Sequence, residues 1–260
     1  MKIARYETEG RIHHGIVVDG QHIQRLRGGL FDPHVLEGAL DDLAAVRLLS
    51  PLAEPRVFGV GLNYRAHAEE SGKPIPEFPM LFMKPDSAVI GPDTPIVYPI
   101  EGQRVDYECE LAVVIGRRAR RVDRQQALDA VFGYTCANDI SERRIQWAEM
   151  AMGCLLVGKG YDGFCPLGPW IETELDPSRL RISTRVNGVT RQDSNTADLI
   201  FDVPALVSYL SQAITLRPGD VIITGTPAGI GPVVPGDLVE IDIEGIGVLR
   251  NPIVAEAASV

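Results

Sequence analysis

Short apolar runs separated by turn residues open the chain: MKIARY, then Glu9-Gly10, then RIHHGIVV, then Asp19-Gly20, then QHIQRL. Asp-Gly between two alternating segments favours a two-residue hairpin turn, so an antiparallel unit is expected here. Residues 34–56 are expected to pass through one helix to Pro51 and Pro55. A boundary near Pro55 then separates a small N-terminal α+β domain, residues 1–55, from a larger domain, residues 56–260. In the larger part RVFGV reads as a strand and leads into a short helical stretch holding His67, Glu69 and Glu70. Residues 71–79, SGKPIPEFP, form a loop long enough to cover something.

Tyr107 to Gly116, YECELAVVIG, becomes continuously apolar in its second half, which predicts a strand buried on both faces. Asp123 and Gln126 match a capping box for a short helix at about 124–130, and VFGYTCAND follows as a strand. Leu180, Ile182, Thr184 and Val186 alternate up to Asn187-Gly188, a second hairpin signal. Asp202 as N-cap with Pro204 in the first turn predicts a helix to about Ala213. Strands outnumber helices without regular βαβ alternation, so the expected class is α+β and β-rich, with a mixed roll or barrel-like core.

Composition narrows the partners. The chain carries 35 acidic against 25 basic side chains, a formal charge of −10, which repels phosphate backbones and anionic membrane surfaces. Neither nucleic acid nor a membrane is an expected partner. The start lacks the apolar stretch of a secretory signal, and no segment reaches 18 uninterrupted apolar residues, so a cytoplasmic location is expected. Cys109, Cys136, Cys154 and Cys165 have no zinc spacing and read as buried small hydrophobes.

On a strand, side chains two positions apart share a face, so Glu108 and Glu110 lie side by side, with Asp106 of the same parity. Anions held that close beside LAVVIG repel, and a cation removes the penalty. Asp139 ends the next predicted strand, where it can meet the pair. Three carboxylates without a His or Cys ligand make a hard, all-oxygen site suited to Mg²⁺, Mn²⁺ or Ca²⁺. The alternative is that YECE is the solvated end of a strand.

His67, with Glu70 at i+3 on the same face, is the candidate acid–base group; a lone His is otherwise structural. Arg143 and Gln146 stand four and seven residues beyond Asp139, on one stripe if the segment is helical, where they could serve an anionic substrate or simply a solvated face. Lys159, between Gly158 and Gly160, is a cation on permissive backbone, and equally an ordinary turn lysine. Thr224-Gly225-Thr226-Pro227 is a small-residue turn whose N–H groups and hydroxyls could hold a carboxylate; it lacks the nucleotide P-loop pattern.

Over roughly residues 56 to 253 the chain resembles the fumarylacetoacetate hydrolase superfamily. The matching pieces, in order, are GVGLNYRAHAEESG, LFMKPDSAVIGP, DYECELAVVIG, the Asp139 to Gln146 segment, VGKGYDGF, RVNGVTRQ and ITGTPAGIGP. The resemblance implies a mixed β-roll paired as a homodimer, with Mg²⁺ or Mn²⁺ on Glu108, Glu110 and Asp139 and a small-molecule 2-oxo acid as substrate. It implies that His67 and Glu70 activate water and that Arg143, Gln146 and Lys159 polarise the scissile carbonyl and stabilise the leaving enolate. It further implies that Thr226 contacts the substrate carboxylate and that residues 69–80 form a lid. Longer relatives place a fourth carboxylate where this chain has Val60, so it resembles the shorter bacterial type with three acidic ligands. That branch includes acylpyruvate hydrolases, oxaloacetate decarboxylases and isomerase/decarboxylases of aromatic-ring degradation. The expected activity of residues 56–260 is metal-dependent C–C hydrolysis of an acylpyruvate or fumarylpyruvate-type substrate. Decarboxylation, or isomerisation of a 2-hydroxyhepta-2,4-diene-1,7-dioate type, at the same site is the alternative.

Overall fold

A computed structural model describes residues 1–257. Its scaffold is a 12-stranded mixed sheet facing a 5-stranded one, with a small 3-stranded sheet at the side. The strand Lys2–Thr8 pairs with Arg11–Val18, which pairs in turn with His22–Arg27, the Asp19-Gly20 turn closing the hairpin as its sequence dictates. On its other edge Lys2–Thr8 joins Cys165–Glu172, through Lys2 opposite Glu172 and Ile3 opposite Ile171. The N-terminal hairpins therefore continue the large sheet. Beyond Cys165–Glu172 the order runs through Val131–Asn138, Cys109–Ile115, Val221–Ile223 and Val57–Gly61 to the last strand, Met80–Lys84.

Cys109–Ile115 is buried at every position. Its Cys109, Leu111, Val113 and Ile115 join one core with Ile182, Ile241 and Leu249 of the five-stranded sheet, while Ala112 and Val114 join a second core with Val57, Phe82 and Ile171. The continuous apolar run thus marks a strand with a packed layer on each side. Arg181–Val186 and Val189–Asn195 flank Asn187-Gly188 as a hairpin. The helix Val203–Ala213 starts at Asp202, whose Oδ1 accepts the Ala205 N–H at 2.9 Å. Among the described residues no helix is long and apolar enough to cross a membrane.

Three local expectations are corrected. Residues 34–56 hold no α-helix: Val35–Asp42 is an edge strand with alternating exposure, followed by a 3-10 turn, Leu43–Ala45, and the short strand Arg47–Leu48. Pairing with His22–Arg27 and Lys2–Thr8 overrides the helix-forming Ala and Leu content, so the N-terminal unit is β with a single 3-10 turn. The capping-box segment is likewise one 3-10 turn, Ala127–Ala130, preceded by Asp123 Oδ1 accepting the Gln126 N–H at 2.9 Å. Cys154 is exposed, unlike Cys109, Cys136 and Cys165; it follows a helix end and donates its Sγ–H to the Glu149 carbonyl.

Candidate metal centre and active site

Glu110 shares strand parity with Ala112 and Val114, so its carboxylate sits on a face otherwise given to apolar packing. Glu110 lies opposite Ala137 and Cys109 opposite Asn138, which brings the chain to Asp139 just past the strand end. The Asp139 N–H donates to the Glu108 carbonyl at 2.9 Å and locks that corner. The result is three buried carboxylates, Glu108, Glu110 and Asp139, whose ligand oxygens all lie within 4.8 Å of one another.

Cations already address part of this charge. Lys159 Nζ donates to Glu108 Oε2 at 2.8 Å and Asp139 Oδ2 at 2.6 Å. Lys84 Nζ donates to Asp139 Oδ1 and, at 3.1 Å, to the Ile140 carbonyl. An Arg143 terminal nitrogen lies 2.5 Å from Glu108 Oε1. Burial alone would raise the Glu108 carboxyl, but Lys159 and Arg143 overcome it and hold the group well below the carboxylate range. Burial and the charges of Asp139 and Glu108 push Glu110 the other way, well above that range, against only a partial offset from Lys159 and the Gly225 N–H. An all-oxygen trio with one member so disfavoured as an anion fits a hard divalent ion.

All nine sequence-selected residues border one cavity of about 390 Å³. Buried His67 and exposed Glu70 lie on the helix Arg65–Glu70, with His67 Nδ1 2.9 Å from Glu70 Oε2. Glu70 Oε1 accepts the Gly229 N–H at 2.9 Å, which fixes the carboxylate across two segments. A donor at Nδ1 leaves Nε2 as the basic nitrogen. Asp139 does not share a helical stripe with Arg143 and Gln146: the helix starts at Arg143 and runs to Ala151, after the short strand Ser141–Glu142. Arg143 and Gln146 do meet, Nη1 donating to Oε1 at 2.7 Å, which leaves the Gln146 amide nitrogen as its outward donor. The buried Arg143 Nη2 makes no well-aligned hydrogen bond, so donor capacity remains there.

Lys159 is no turn lysine. It is buried in the helical turn Val157–Gly160, and burial, which would lower its ammonium, is outweighed by Asp139 and Glu108, which raise it. Glu149 holds this turn by accepting the Val157, Gly158 and Leu156 N–H groups at 2.7, 3.0 and 3.1 Å. Gly158 is required because a Cβ there would lie 2.5 Å from the Gln146 nitrogen. Thr226 Oγ1 accepts from Gln192 Nε2 at 2.8 Å. Gln192 is itself fixed by Thr184 at 2.7 Å and the Cys109 N–H at 3.0 Å. Gly225, at φ +96°, turns its N–H onto Glu110 Oε2 at 2.7 Å. The loop over residues 71–79 reaches the cavity mouth through Ser71 and Lys73.

Asp106 shares parity with the Glu pair but not their cluster. The strand Val105–Tyr107 belongs to the three-stranded sheet, and there Asp106 receives Arg143 Nε at 2.8 Å and Arg104 Nε at 2.9 Å. It aims Arg143. Sequence reasoning assigned no role to Lys84, Glu149 or Gln192. Lys84 alone had a local signal, since it shares strand parity with the inward Phe82.

The sequence profile described as fumarylacetoacetate (FAA) hydrolase C-terminal matches residues 56–254. The chain belongs to the fumarylacetoacetate hydrolase family. Its first 51 residues match a second profile, Rv2993c-like, N-terminal. Among solved structures this family member is similar to a 5-carboxymethyl-2-hydroxymuconate delta-isomerase from Mycobacterium smegmatis, at 42% identity and TM-score 0.92, covering 98% of this chain and 100% of the other. It is also similar to a maleylpyruvate hydrolase from Sphingobium sp. SYK-6 solved with manganese(II) and pyruvate, at 33% identity and TM-score 0.81, covering 99% and 100%. A mitochondrial oxaloacetate tautomerase of Xenopus laevis is 42% identical over 220 residues, 80% of this chain and 70% of the relative.

Proposed function

We propose that this family member is a divalent-metal-dependent hydrolase that cleaves a C–C bond in a 2-oxo or β-diketo acid of acylpyruvate or fumarylpyruvate type. The observation that carries the reading is the His67–Glu70 pair facing the same cavity as the buried carboxylate trio. Glu108, Glu110 and Asp139 would hold a Mg²⁺ or Mn²⁺ ion, which would supply Lewis acidity toward a 2-oxo acid. The protein's own groups do the rest. Glu70 keeps the proton on His67 Nδ1, so Nε2 takes a proton from the attacking water. Lys159, Arg143 and the Gln146 amide donate to the oxygens on which negative charge grows as the C–C bond breaks. Thr226, oriented by Gln192, donates its hydroxyl to the substrate carboxylate, and the lid of residues 69–80 closes over bound substrate.

A second reading is tautomerisation, isomerisation or decarboxylation at the same residues, favoured by the similarity to an isomerase and a tautomerase. There the base moves a proton between carbon and oxygen, and no water attacks. A panel of acylpyruvates, oxaloacetate and unsaturated 2-oxo diacids, assayed with Mn²⁺ or Mg²⁺ and read by product identity, separates the two. Turnover that survives EDTA at full rate would remove the metal-dependent reading altogether.

A further inference from the structure

The nine residues around the cavity leave one charged side chain in contact with the trio unexplained. Lys84 is the last residue of Met80–Lys84, its side chain is 0% exposed, and it pairs with Asp139 Oδ1 and the Ile140 carbonyl. It does not border the cavity, whereas Asp139 and Lys159 do. It therefore cannot touch substrate. Lys159 faces the reaction space and can turn toward a ligand; Lys84 is enclosed and cannot leave its anion. A buried ammonium is costly to keep unless its charge does something that an apolar side chain of similar length would not.

Resting on the metal reading above, we propose that Lys84 is a fixed counter-charge that weakens the trio's hold on its dication and so leaves the loaded site positive enough to accept an anionic acid. The charge count makes the point. With every carboxylate ionised, Glu108, Glu110, Asp139 and Asp106 are balanced by Lys84, Lys159, Arg143 and Arg104. A bound dication then leaves two net positive charges to meet an incoming 2-oxo acid anion. Without Lys84 the loaded site keeps only one, and its attraction for that anion is weaker.

The test compares wild type with Lys84→Gln and Lys84→Met, all as full-length protein stripped of metal. Gln keeps a hydrogen-bond donor and removes only the charge; Met removes both. Mn²⁺ is titrated calorimetrically, and then oxalate, a small chelating dianion, is titrated into the Mn²⁺-loaded protein, with circular dichroism checking the fold. A like charge one carboxylate away opposes a dication strongly even at an effective dielectric of ~20, so both variants should bind Mn²⁺ at least about tenfold more tightly. The loaded variants should bind oxalate at least about tenfold more weakly, by the same electrostatics with the sign reversed. A purely structural role predicts the opposite for the metal, because a misplaced Asp139 is a poorer ligand. Unchanged or weaker Mn²⁺ binding in a folded variant overturns the proposal, as does failure of both variants to fold. If wild type takes up no Mn²⁺, the metal reading itself falls; if wild type binds and the variants match it, only the role of Lys84 falls.

Discussion

Glu149 offers the sharpest test of how Lys159 is placed. Its carboxylate is buried and accepts three backbone N–H groups, Val157 on one oxygen and Leu156 and Gly158 on the other, at 2.7, 3.1 and 3.0 Å. Glu149→Gln is nearly isosteric, yet it replaces one acceptor by an NH₂ that must face a backbone donor. Hydrogen bonds to a charged group contribute about 1.5–3 kcal/mol each and neutral ones about 1 kcal/mol. Losing one charged bond and reducing the other two to neutral strength costs at least about 2.5 kcal/mol in total. In a chain of this size that lowers Tm by at least about 5 °C. The turn that loosens carries Lys159, so kcat should fall at least about tenfold while KM moves less, the signature of lost orientation in the transition state. Urea unfolding in EDTA measures the first effect, and steady-state kinetics on the best substrate of the panel measures the second. A variant within ~0.5 kcal/mol of wild type with unchanged kcat would show that the three N–H contacts do not hold the lysine.

Other perturbations probe separate parts of the site. Gly225→Ala places a Cβ 2.7 Å from that of Asn63 at φ +96°, so it should cost at least about 2 kcal/mol in urea unfolding and weaken Mn²⁺ binding by moving the N–H that aims Glu110. His67→Ala should reduce hydrolysis by about 10²–10⁴-fold while leaving decarboxylation of oxaloacetate measurable, and equal loss of both would refute the assigned base. Far from the site, the Arg25 guanidinium and the Tyr6 hydroxyl hold the Asp41 carboxyl below its ordinary value. A depressed carboxyl stabilises the fold fully above the unfolded value of about 3.9 and loses that contribution as pH falls through the folded one. Asp41→Asn should therefore be less stable than wild type at pH 6, with the gap closing below pH ~4; a gap that stays constant with pH would count against the ion pair.

Much of the fold was legible because local chemistry and tertiary packing agree. Asp19-Gly20 and Asn187-Gly188 supply turn geometry that few other pairs tolerate, and LAVVIG can satisfy its apolar side chains only between two layers. Residues 35–48 were misread because their helix propensity is weak against two rows of backbone pairing that only the folded sheet reveals. Within the site, the carboxylate trio and the His67–Glu70 pair announce themselves by spacing on a strand and a helix. Asp106 could not be sorted from its neighbours by parity, since the chain changes sheets between Tyr107 and Cys109. Gln192 meets Thr226 only through folding, whereas Glu149 and the 156–158 turn share one short stretch of chain whose residue types do not reveal that it folds back on the carboxylate.

Lys84 and Phe82 sit on a strand with a single hydrogen-bonded neighbour, Val57–Gly61, at the outer margin of the large sheet. Amides of such a strand exchange through local fraying, well before the rest of the sheet lets go. Warming this protein should thus silence it before calorimetry registers a melt, and it should recover on cooling, because the part that opens first carries the Lys84 charge beside Asp139 and the Phe82 wall of the cavity.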